Sequence, residues 1–176
     1  GVSAEVEAPI SAAPVIGESP SGSPTKFPIL IALGAGNTPR HWPMAGVVEG
    51  LRGDGHFVGE SAVPVHSVEV RAQFLGRALD RLLADCARET GCDARKVNVI
   101  AYSMGGLDAR ALADAPGYGD KIASISMIGT PNRGSSIADA ILAGTISVRG
   151  NFSWLVDRWA ETYDEPGFPA QDAMAT

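Results

Sequence analysis

A serine set among small residues carries the chemistry of this sequence. Ser103 lies in Ala101-Tyr102-Ser103-Met104-Gly105-Gly106, with Ala101 two positions before it and Gly105 two positions after. A hydroxyl that attacks an electrophile must stand clear of its own backbone, so the chain has to turn sharply at that residue. The turn crowds the positions two before and two after, where only small side chains fit; Ala101 and Gly105 meet that need. This is the pattern of a nucleophile elbow, G-x-S-x-G, with alanine for the first glycine. Gly106 is expected to let the following helix pack close to a sheet. That helix would aim free N–H groups and the positive end of its dipole at the oxyanion formed when serine adds to a carbonyl. The plainer alternative for Ser103 is a helix N-cap.

Such a turn needs a buried strand before it and a helix after it. Lys96 to Ala101 (KVNVIA) reads as that strand, and Met104 to Ala115 as that helix, stopped by Pro116-Gly117. Upstream, Phe27 to Leu33 is an unbroken apolar run closed by Gly34-Ala35-Gly36-Asn37, as suits a strand buried on both faces. His41 to Leu51 reads as a helix and Phe57 to Val65 as a weaker strand, interrupted by Gly59 and Pro64.

Ser67 to Thr90 is the clearest helix. Val70, Phe74, Leu75, Leu79, Leu82, Leu83 and Cys86 recur at steps of three and four, while Arg71, Arg77, Arg81, Asp85 and Arg88 are expected on the opposite, solvent side. Ile122 to Ile128 reads as a further strand, and Ser135 to Leu142 and Phe152 to Ala160 as short amphipathic helices. Strands alternating with helices predict an α/β fold with a parallel, doubly wound sheet.

The chain has 176 residues, one domain's length, with 45% apolar and 19% charged residues. Its 14 basic against 20 acidic residues, with no basic run, exclude nucleic acid as the main partner. No apolar run approaches the ~20 residues of a membrane-spanning helix. Residues 1–25, rich in Pro, Ser and Ala, are expected to form a flexible tail ahead of a core spanning 26–176, as often follows a removed secretion signal. Cys86 and Cys92 are the only cysteines. If Gly91 takes the left-handed position that closes the long helix, Cys92 folds back against the turn holding Cys86. A disulfide is then geometrically accessible; the alternative is two free thiols. No spacing suggests a metal site.

Three stretches, FPILIALGAGN, KVNVIAYSMGGLDAR and SISMIGTPNRGS, together resemble the secreted bacterial triacylglycerol lipases of the α/β-hydrolase superfamily. The last is similar to their G-T-P-H-x-G-S signature, with Asn132 for histidine, and Gly105-Gly106-Leu107 followed by Arg110 is similar to them as well. The resemblance implies an α/β-hydrolase-like parallel sheet flanked by helices. It implies Ser103 as nucleophile, with the N–H groups of Met104 and Ala35 as the oxyanion hole. Leu33 stands where a histidine often precedes the second donor, and Tyr102 where many members have histidine. It further implies an extracellular location, a lipid or ester substrate, and a lid-like segment over about 135–169. No cofactor is implied; a structural calcium occurs at family level, with ligands outside this chain.

The family also needs an acid and a histidine after the nucleophile, in that order. All three histidines, His41, His56 and His66, precede Ser103. None of Asp108, Asp114, Asp139, Asp157, Asp164 and Asp172 stands where the resemblance places the acid. The sequence therefore reads as an N-terminal portion, truncated before the last strands, whose base and acid come from further chain such as a C-terminal fragment. The alternatives are a non-catalytic hydrolase-like fragment or binding module, and a related acyltransferase or thioesterase using the same serine.

Overall fold

The computed structural model describes residues 24–37, 39 and 43–147. His41, the helix expected over Phe152 to Ala160, nearly all of the 1–25 tail and most of the lid-like segment lie outside the described residues.

The elements run β1 (Ile29–Ala32), α1 (Ala45–Gly53), β2 (Val58–Glu60), α2 (Val68–Cys86), β3 (Val97–Tyr102), α3 (Gly105–Asp114), β4 (Ile122–Ile128) and α4 (Ser136–Leu142), with a 3-10 turn at Gly119–Lys121 before β4. The four strands form one parallel sheet in the order β2-β1-β3-β4. It is an α/β sheet with crossover helices, the fold class expected from the alternation.

Successive strand side chains point to opposite faces, so β1 feeds two cores. Leu30 and Ala32 join Leu75, Leu79, Val99 and Leu112 beneath α2 and α3. Ile29 and Ile31, with Leu33 just beyond the strand, pack on Val48 of α1. Leu75 and Leu79 are fully buried, each contributing about 1.5–3 kcal/mol of transfer free energy.

Boundaries differ from the sequence reading where local chemistry intervenes. The helix expected from His41 starts at Ala45, because Pro43 and Met44 form a turn and Met44 has non-helical backbone, φ −119° and ψ 25°. β2 keeps only Val58–Glu60 of Phe57 to Val65; the next rung is Ser61 N–H to Ile31 O at 2.9 Å, and Pro64 follows. α2 stops at Cys86 rather than Thr90. Past it, Arg88 and Glu89 donate to residues three back, Asp85 and Cys86, which tightens the chain out of the α-helix.

The Cys86–Cys92 disulfide is formed, with Cα atoms 5.4 Å apart. Its geometry corrects the expectation in part. Gly91 does take a left-handed backbone (φ +88°), but it does not cap α2. The helix ends on Cys86 itself, and a run of turns carries the chain round to Cys92.

Candidate active site

β3 ends at Tyr102 and α3 begins at Gly105, so two residues make the turn between strand and helix. Ser103 has φ +52°, and no other described residue except glycine has positive φ. For a residue with a Cβ this backbone is costly and must be held by its surroundings. The Ser103 N–H donates to Ile128 O on β4 at 2.8 Å, and Ser103 O accepts from Gly106 N–H at 3.1 Å.

The small residues around the serine each have a neighbour that requires them. A Cβ on Gly105 would stand 2.3 Å from Ala32 O, so α3 sits directly against the end of β1. A Cβ on Gly34 would stand 2.9 Å from Ser103 Cβ and 3.2 Å from Tyr102 O. Ala101 is fully buried and is the register partner of Ala32. The expected role of Gly106 is corrected: Gly105 gives the close approach to the sheet, whereas a Cβ on Gly106 would meet Thr130 Oγ1 at 2.0 Å in the loop after β4.

The loop after β1 folds back toward the serine. Asn37 N–H bonds to Gly34 O at 3.3 Å, closing a turn with Ala35 and Gly36 at its centre, and Gly36 takes φ +66° as a type II turn requires. Among the described residues, no backbone carbonyl accepts the N–H of Ala35 or of Met104. The contact of Gly34 with Ser103 thus sets the turn that carries Ala35 against the turn that carries Ser103 and Met104.

Behind this site lies an ion pair that the sequence reading missed. Arg71 of α2 and Asp108 of α3 are each 1% exposed and meet with Nη2 to Oδ2 at 2.8 Å. Arg71 Nε also donates to both Asp108 oxygens, Nη1 donates to Pro64 O at 2.9 Å, and Nη2 donates to Leu33 O at 2.9 Å. Burial pushes the Asp108 carboxyl above its usual range, against the opposing pull of Arg71. Arg71 was expected on the solvent face with the other arginines; the structure places it inside. A signal was present, since Arg71, Leu75 and Leu79 fall at steps of four on one stripe.

Two of the three histidines, His56 and His66, are among the described residues. His56 Nδ1 accepts the Thr25 N–H at 3.0 Å, at the end of the sheet where β1 begins, opposite Ser103. His66 Nδ1 accepts from Ser67 N–H at 2.8 Å in the loop before α2. Asn132 accepts from Arg110 Nη1 at 3.0 Å, linking the segments after the serine and after β4. Among the described residues no group of three or more His, Cys, Asp or Glu could hold a metal ion, and no helix is long and apolar enough to cross a membrane.

No known family model matches the chain. Over 121 residues it is 32% identical to a triacylglycerol lipase of Pseudomonas fragi, covering 66% of this chain and 39% of that protein. The chain resembles the bacterial lipases. Its fold agrees: the lipase BlEst2 of Bacillus licheniformis, in mature form, superposes with a TM-score of 0.59 at 18% identity, over 88% of this chain and 64% of that one. The sheet and its helices are therefore α/β-hydrolase-like. The chain spans well under half the length of the Pseudomonas relative it matches.

Proposed function

We propose that this lipase-like chain is the nucleophile-bearing part of a secreted carboxylic ester hydrolase acting on acylglycerol esters. One observation carries the proposal: Ser103 is held at positive φ between a parallel strand and a helix, with Gly34 packed against it, and no backbone carbonyl among the described residues takes the N–H of Ala35, next to Gly34, or of Met104, next to the serine. In this reading a general base takes the Ser103 hydroxyl proton as Oγ attacks the ester carbonyl, and the two N–H groups receive the negative charge on its oxygen. Collapse expels the alcohol, which takes the proton from a general base, and leaves an acyl-serine. Water, deprotonated by the same base, then releases the acid. The base and its orienting acid are assigned to chain beyond the described residues. The disulfide supports an oxidising, extracellular setting. α4, with Ile137 50% and Leu142 86% exposed, supports reading the segment from Ser135 as the start of a lid.

The test is the intact denatured mass after incubation with a fluorophosphonate, paired with ester turnover. One adduct on Ser103, and a loss of at least about a thousandfold in kcat in Ser103→Ala, is the expected outcome. Turnover that persists in Ser103→Ala overturns the reading. The second reading, a non-catalytic hydrolase-like module, is favoured by the position of all three histidines ahead of Ser103. It predicts a single unlabelled polypeptide. Competition by an added alcohol or thiol acceptor separates an acyltransferase from a hydrolase.

A further inference from the structure

We infer that Ser61 and Arg71 are positioning residues that fix the oxyanion-stabilising turn; this rests on the ester-hydrolase reading of Ser103. Leu33 is the residue at which β1 gives way to the Gly34–Asn37 turn. Both of its backbone groups are held by side chains. Its N–H donates to Ser61 Oγ at 3.3 Å, and its carbonyl accepts from Arg71 Nη2 at 2.9 Å. Ser61 is fully buried and Arg71 nearly so, so water cannot replace either partner.

The two N–H groups assigned to the oxyanion belong to chain segments far apart in sequence, Ala35 after β1 and Met104 before α3. Arg71 spans that gap. The Nε–Nη2 edge of its guanidinium holds Asp108, four residues past Met104 on α3, and Nη2 also reaches Leu33, two residues before Ala35. Its third direction, to Pro64 O, ties in the loop that follows Ser61. A planar fork with fixed donor directions can hold three such partners at once; a lysine ammonium presents one point charge and cannot keep the same geometry. The spacing of the two donors is set by this bridge, and a displacement near 1 Å costs on the order of a hundredfold in rate.

The test compares Ser61→Ala and Arg71→Lys in the full-length protein with Asp80→Asn. Asp80 serves as control because it holds only Tyr118 Oη and Lys121 Nζ at the surface. kcat and KM are measured on a p-nitrophenyl ester, with kcat counted per Ser103 titrated by fluorophosphonate, alongside thermal unfolding. Ser61→Ala is expected to lower kcat about tenfold, and Arg71→Lys about a hundredfold, with KM within about twofold. Asp80→Asn lowers Tm and leaves kcat alone. If Arg71→Lys does not fold, Ser61→Ala decides the matter. A kcat per titrated serine within about twofold of wild type in Ser61→Ala, whatever its Tm, overturns the inference. Failure of wild type to label, or turnover surviving Ser103→Ala, instead removes the ester-hydrolase reading beneath it.

Discussion

Asp93 and Asp108 each face one arginine, on either side of β3. Asp93 precedes the strand, close to the Cys86–Cys92 disulfide, and takes Arg95 Nε at 2.8 Å near the surface. Asp108 follows the strand on α3 and takes Arg71 in the interior. The partner chemistry is the same and the outcome opposite. The Arg95 side-chain hydrogen bond pulls the Asp93 carboxyl down from 3.8 to about 2, whereas burial pushes Asp108 up. Solvent access, more than pairing, decides which form of a carboxyl the fold favours. The two ends of the sheet are accordingly held by different means, a covalent bond with exposed pairs at one and a desolvated polar bridge at the other.

The sharpest way to break this contrast is Asp108→Asn, which leaves Arg71 charged and buried beside a neutral group. Because the asparagine amide turns an N–H toward Arg71 donors that the Asp108 oxygens accept, urea denaturation is expected to show a loss of about 3 kcal/mol from the unmet buried donor rather than from the lost charge. A loss under ~1 kcal/mol would place Asp108 with the weak surface pairs. Next comes the disulfide. Its six-residue sequence separation gives a short loop, so replacing both cysteines with alanine should cost about 2 kcal/mol on the chain-entropy account, read from the same denaturation curves.

The smallest effect is that of Asp93→Asn, whose consequence appears in acid. With a folded pKa below the unfolded one, Asp93 contributes stability that is present above about 4 and lost as pH falls toward 2. The variant should flatten that part of the stability–pH curve, lying slightly below wild type at neutral pH and meeting it near pH 2. Asp108 has the opposite sign: its raised pKa makes its contribution greatest below the usual carboxylate range, declining as pH rises through the shifted value. Parallel pH profiles of the two asparagine variants that bend the same way would refute the comparison.

Much of this arrangement was legible in the residues. The span Ile122–Ile128 was read to its ends because apolar residues alternate with serine between Lys121 and Gly129. The serine turn was legible because steric crowding leaves Gly105 no alternative. The end of α2 was not, since the helical pattern persists past Cys86 while the hydrogen bonds shorten to three-residue steps. Arg71 was misplaced because charge usually marks the solvent face. Its position on the leucine stripe outranked its type only once Asp108, 37 residues away, supplied the opposite charge. Ser61 gave no signal at all, since a serine after a short strand looks like any loop residue until the Leu33 N–H is found against it.

The bond from Ser103 N–H to Ile128 O has a consequence for how this molecule would fail. Ser103 is fastened to the last rung of β4, so its turn depends on two strands at once, β3 through the chain and β4 through this bond. Local opening runs at free energies below global unfolding, and the end rung of a strand pair opens more readily than its buried middle. On warming, the bearing of the serine is lost with that rung, while Leu30, Val99 and Leu75 still hold the β1–β3 core together. The setting of Ser103 would therefore be lost at a lower temperature than the core melts, and that single rung sets the lower limit.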